Sequence, residues 1–216
     1  MRDLNGQAFY VRTWGDPALP RLLLLHGFPE YGGAWDDFAP LLAERFHVIA
    51  PDQRGYGRSW APADVGEYTA SKLVSDMVAL ICDGGPVSRL IIANGVHPGP
   101  FQREMAKGGR QSEASQYINY LRAEGSEDRL AANDFEKLIA LFSAKMDMSW
   151  LKGDVLARYK EAWGRPGRLR GMINWYRASP LKIGQKGEAI EGLTFDPARL
   201  QVRCPHLLVW GTADTA

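Results

Sequence analysis

The chain has 216 residues, of which 45% are hydrophobic and 24% charged, with 23 glycines and 13 prolines. These proportions exclude a disordered, collagen-like or coiled-coil chain and leave one large domain, or one domain carrying an insertion. Against 26 Lys and Arg stand 25 Asp and Glu, a net charge of +1, so no global field draws nucleic acid or an anionic membrane.

The first half alternates strand and helix signals. Residues 8–14 alternate as a half-buried strand does, entered through a turn at Asn5-Gly6. Residues 22–25, following Arg21, are a continuous apolar run, the kind a central parallel strand needs on both faces. Residues 34–45 place Trp35, Phe38, Leu41 and Leu42 at helical spacing, and residues 47–51 form a second buried strand. Residues 69–82 predict an amphipathic helix capped by Thr69, with Leu73, Val74, Met77, Val78, Leu80 and Ile81 on one stripe. Gly84-Gly85-Pro86 stops it, and residues 89–93 read as a third buried strand. This order predicts a mostly parallel sheet with helices on both faces.

After residue 98 the pattern becomes helical, over 112–123, 127–145, 149–163 and 168–178, and it is dense in Trp and Tyr. A helical insertion over 98–200 is expected between a core segment at 1–97 and a last strand near 206–210 within 201–216. Cys82 and Cys204 sit in no CxxC or His/Cys pair and read as small buried hydrophobes, with no metal expected. No N-terminal stretch has a targeting pattern and no run is long enough to span a membrane, so the expected location is the cytoplasm.

Two motifs carry chemistry. His26-Gly27-Phe28-Pro29 follows the first buried strand at its carboxyl end, where open α/β sheets bind ligands. There the Phe28 amide can be aimed at a developing oxyanion. Asp52-Gln53-Arg54-Gly55-Tyr56-Gly57-Arg58-Ser59 follows the second strand and reads as supporting scaffold, with Asp52 and Arg54 holding the loop through hydrogen bonds or an ion pair. With residues 22–30, these motifs resemble the α/β-hydrolase fold, on the branch of epoxide hydrolases and haloalkane dehalogenases.

The resemblance implies a fold and a mechanism. The fold is an α/β-hydrolase sheet with an inserted helical cap. The substrate is a small apolar molecule such as an epoxide, an Asp nucleophile attacks it, a His-activated water hydrolyses the ester, and no cofactor is needed. Gln116-Tyr117-Ile118-Asn119-Tyr120 and Asn174-Trp175-Tyr176-Arg177 resemble the cap segments that present two tyrosines to the epoxide oxygen, at Tyr117 and Tyr176 with Trp175 beside it. Asp214, in Trp210-Gly211-Thr212-Ala213-Asp214, matches the acid that orients the catalytic histidine.

Two parts of the pattern are missing. The nucleophile turn should fall between helix 69–82 and strand 89–93, yet a short connector alone joins them. Gly95-Val-His97-Pro-Gly99 imitates the turn pattern, but it matches the exit into the cap instead. The catalytic histidine belongs beyond Asp214, where the chain reaches Ala216. A complete enzyme of this type runs to roughly 280–300 residues. The sheet is therefore expected to be incomplete, with apolar surface exposed, and the chain is expected to be inactive. The alternatives are a small-molecule-binding remnant and an esterase or dehalogenase on the same fold; no nucleic-acid or membrane partner is expected and the oligomeric state is open.

Overall fold

A computed structural model of the chain describes residues 1–81, 87–143, 147–193 and 201–212. Its contacts divide into two units, Met1–Gly84 with Glu124–Ser179, and Gly85–Ala123 with Pro180–Ala216.

In the first unit, Asn5 and Gly6 take φ of 55° and 78° and turn the chain between β1 (Arg2–Leu4) and β2 (Gln7–Phe9), an antiparallel pair. β3 (Val11–Trp14) follows. The strand expected over 8–14 is thus two strands, broken at Tyr10, whose N–H donates to the Ser59 hydroxyl at 2.9 Å instead of to a sheet neighbour. β4 (Arg21–Leu23) lies parallel to β5 (His47–Pro51), and β3 lies antiparallel to it, giving the order β3-β5-β4. Central β5 buries Val48 and Ala50 completely. Among the described residues β4 is an edge, not the buried centre that the run at 22–25 predicts, and Leu25 is 43% exposed.

The helix expected over 34–45 is a 3-10 turn at Gly32–Trp35 followed by a short α1 (Ala39–Leu42). Pro40 explains the break: it supplies no N–H to a preceding turn and favours the start of a helix. α2 (Ala70–Ile81) forms as expected, but its buried residue is Asp76, while Val74 and Val78 of its apolar stripe stand mostly exposed.

α6 (Ser126–Ser143), α7 (Gly153–Gly164) and α8 (Arg168–Ala178) complete the unit. α6 is interrupted at Ala132–Phe135, where Asn133, Asp134 and Phe135 take left-handed φ; Asn and Asp accept that region most readily after glycine. Leu130, Leu138, Trp163, Met172 and Ile173 form the buried core of these helices.

The second unit contains β6 (Leu90–Ala93) and β7 (His206–Val209), a parallel pair, together with α3 (Pro98–Ala106), α4 (Gly109–Ala114) and α5 (Gln116–Arg122). Met105, Ile118 and Leu121 are buried here. The buried Gln102 amide joins α3 to the later chain, donating to Lys182 O at 2.7 Å and accepting from Lys182 N at 2.6 Å.

The expected burial of strands 89–93 and 206–210 is not found: Ile91 is 65% exposed, and Leu207 and Leu208 are both more than half exposed. A strand needs neighbours to enclose its faces, and among the described residues β6 pairs with β7 alone. Cys204 is only half-buried, against expectation, and Cys82 lies outside the described residues. The sheet that the resemblance implies is therefore incomplete among the described residues, which form separate short sheets.

Candidate functional site

His26-Gly27-Phe28-Pro29 leaves the carboxyl end of β4 as a tight turn closed by Glu30 N–H donating to Gly27 O at 3.0 Å. His26 is its anchor. The Gln53 N–H donates to His26 Nε2 at 3.2 Å, and the Gln53 side-chain amide donates to His26 O at 2.6 Å. Because Nε2 accepts, the proton sits on Nδ1, which donates to Gly27 O at 3.0 Å. Burial pushes the His26 pKa down to about 4, so the ring is neutral at pH 7 and both of its nitrogens are engaged. Trp163 Nε1 donates to Pro29 O at 2.6 Å and fixes the far end of the turn. The Phe28 N–H has no hydrogen-bond partner among the described residues.

The loop after β5 is built on buried charge. Asp52 is fully buried and accepts from Arg12 Nη1 at 2.7 Å, from Gly32 N at 2.9 Å and from Arg58 N at 2.8 Å. Gly57, at φ 47°, passes so close that a Cβ there would collide with Asp52 Oδ2. Arg54 takes other partners: it grips Asp76 of α2 through Nε at 2.8 Å and Nη2 at 2.7 Å, and donates to Glu67 O at 2.5 Å. The two residues do hold the loop, each through its own ion pair and not through each other.

Phe28 and Tyr176 meet edge to face with ring centroids 5.3 Å apart. Trp175, next to Tyr176 on α8, packs on Tyr56 at 5.7 Å, and Tyr56 packs on His26 at 4.7 Å. The Trp175 Nε1 donates to Arg54 O at 2.8 Å. The ring contacts thus fall into two sets, His26–Tyr56–Trp175 and Phe28–Tyr176, which the backbone joins into one aromatic circuit through the steps from His26 to Phe28 and from Trp175 to Tyr176.

Behind α8, Arg177 donates to Glu127 Oε2 at 2.6 Å, and that contact first of all holds the Glu127 carboxyl down to about 2. This pair secures the helix end that carries Tyr176.

The unit of β1–β5 therefore brings together His26, Gly27, Phe28, Pro29, Trp175 and Tyr176. Tyr117 is on α5 in the second unit, where burial raises the pKa of its phenol. Asp214 lies outside the described residues.

All four histidines are described. His47 and His206 open β5 and β7, and His97 caps α3, its Nδ1 accepting from Gly99 N–H at 3.2 Å. Pro98 starts α3 directly after it, so the imitation turn at residues 95–99 is a helix cap. Sequence reasoning gave Gln53 and Tyr56 no role beyond scaffold; the signal available was Tyr56 standing between two glycines beside the first motif's loop. Among the described residues no group of three His, Cys, Asp or Glu could hold a metal ion, and no helix is long and apolar enough to cross a membrane.

Comparison with known proteins supplies the family. A family model described as alpha/beta hydrolase fold matches residues 20–94. The AB hydrolase superfamily protein YfhM of Bacillus subtilis is 30% identical over 239 residues, covering 98% of this chain and 80% of its own length. Mouse epoxide hydrolase 4 is 27% identical over 97% of this chain, which spans only 64% of the mouse protein. The solved structure titled as novel epoxide hydrolases from metagenomes of hot environments superimposes with a TM-score of 0.83 at 28% identity, covering 95% of this chain and 78% of that one.

Proposed function

Because the chain belongs to the α/β-hydrolase superfamily, on its epoxide hydrolase-like side, we propose that it keeps that family's small-molecule site without the group that would attack a substrate. The ligand is a small apolar molecule with an oxygen acceptor, an epoxide or a close analogue. The observation that carries the binding half is the unclaimed N–H of Phe28, the residue whose ring meets the Tyr176 ring edge to face. The amide and the Tyr176 phenol are the donors that receive the ligand oxygen, while Phe28 and Trp175 supply apolar wall.

The inactive half rests on the chain between α2 and β6. α2 ends at Ile81 and β6 begins at Leu90. Eight residues cannot hold a further strand, a sharp nucleophile turn and a helix. His26 cannot replace a missing base, being neutral with its Nε2 already accepting.

The test is turnover of styrene oxide by purified protein, assayed as diol. The expected result is no diol above a Tyr176→Phe control. Diol above that control would overturn the proposal.

A further inference from the structure

The aromatic circuit contains a polar group that the proposed binding site has not used. Tyr56 is 3% exposed, and burial pushes its phenol pKa far up, so it is a neutral donor at any ordinary pH. Its ring packs edge to face against two others, His26 at 4.7 Å and Trp175 at 5.7 Å. Its backbone is fixed as well: the Tyr56 N–H donates to Gln53 O at 2.9 Å, and Ser59 N–H donates to Tyr56 O at 3.0 Å. The hydroxyl, by contrast, has no hydrogen-bond partner among the described residues. Among the described residues, the fully enclosed side-chain atoms without a partner are Trp35 Nε1 and His47 Nδ1. The Tyr56 hydroxyl is not one of them, so it keeps a face on accessible space.

A largely buried hydroxyl without a protein partner gives up part of its hydration, a cost that reaches about 1–3 kcal/mol for a wholly unsatisfied group. A scaffold residue could avoid that cost as phenylalanine with the same ring contacts. The flanking glycines do not explain the hydroxyl either. Gly55 makes its close approach to Gly171 and the Tyr68 side chain, and Gly57 to Asp52. What the hydroxyl does have is its position, in the same circuit as the Phe28 turn and Tyr176.

We propose that Tyr56 is a ligand-recognition residue, its hydroxyl donating a hydrogen bond to the oxygen acceptor of the molecule that the aromatic circuit binds. This rests on the binding site proposed above and adds to it a third donor besides Phe28 N–H and Tyr176. It also names what the site selects: an ether, epoxide or carbonyl oxygen on an apolar frame, in preference to a hydrocarbon of the same shape. A rigidly held phenol discriminates in this way because a ligand without the acceptor leaves the hydroxyl unpaired.

The test compares styrene oxide with styrene, which has the same ring and no oxygen, by calorimetric titration of the full chain. The wild type is expected to favour styrene oxide. Tyr56→Phe, which keeps the ring contacts, is expected to weaken styrene oxide by about three- to tenfold while leaving styrene unchanged, the loss of one hydrogen bond.

An unchanged preference in Tyr56→Phe would overturn the inference, as it would if a water alone satisfies the hydroxyl, yet leave the binding site standing. Failure of the wild type to bind either compound would overturn both. As a check independent of folding, 3-fluorotyrosine placed at position 56 is expected to shift its fluorine resonance with styrene oxide and not with styrene; equal shifts would count against the inference.

Discussion

Gln53 holds His26 from two directions, through its side-chain amide to the His26 carbonyl at 2.6 Å and through its backbone N–H to His26 Nε2 at 3.2 Å. One residue therefore sets both the position of the turn and the tautomer of its first side chain. Gln53→Ala removes the amide and leaves a buried carbonyl without that donor. It is expected to cost about 1–3 kcal/mol in a urea titration, and to weaken styrene oxide binding along with it. A variant as stable as the wild type would show that the turn does not depend on Gln53.

Acid should act through His26. Its folded pKa, about 4, lies below the ordinary 6.5 because burial disfavours the charged ring. The unfolded chain thus takes up a proton more readily than the folded one. The stability from keeping this ring neutral is fully present above pH 6.5 and is lost as the pH falls toward 4. The loss across that window is about 3 kcal/mol at most. Unfolding midpoints of the wild type and His26→Asn between pH 7.5 and 4 check this: the wild type should lose stability more steeply. Parallel curves would contradict it.

The ion pair of Arg54 with Asp76 joins the β5 loop to α2 through two short contacts, and both side chains are buried. Asp76→Ala leaves a buried guanidinium facing Glu67 alone on its carboxylate side. The expected loss is about 3–5 kcal/mol, measured by chemical denaturation. A loss under 1 kcal/mol would show α2 to be held by its apolar stripe after all.

The stripe itself marks how far the sequence could be read. Helical periodicity located α2 within a residue at each end, because spacing alone decides it. It could not say whether the stripe would be covered, since that depends on the neighbour packed against it. Val74 and Val78 stand exposed, as do Ile91 and Leu208 in the other unit. The same holds for residues 22–25, whose composition suits a central strand but which lie on an edge among the described residues.

The turn at His26 and the Trp175-Tyr176 pair were legible as motifs. Gln53 and Tyr56 were not, because their part is set by what the β5 loop brings to His26 and α8. Asp52 and Arg54 were legible as loop holders, while their partners Arg12 and Asp76 come from distant segments that no local pattern connects.

Two glycines offer a matched comparison. Both Gly6 and Gly57 have positive φ, but a Cβ at Gly6 meets nothing within 4 Å, whereas one at Gly57 collides with Asp52. Gly6→Ala is expected to cost about 1 kcal/mol from backbone strain alone. Gly57→Ala is expected to cost about 3 kcal/mol or more and to loosen the Asp52 contacts to Gly32 and Arg58. Equal losses in thermal unfolding would show that Asp52 moves aside freely.

The central claim, binding without attack, is tested most directly by the intact mass of the protein at saturating styrene oxide, quenched in acid. An ester with a protein carboxylate would add the mass of one substrate. No added mass is expected on the wild type, just as none is expected on Tyr176→Phe. A one-equivalent adduct on a carboxylate, formed by the wild type and absent from Tyr176→Phe, would contradict it.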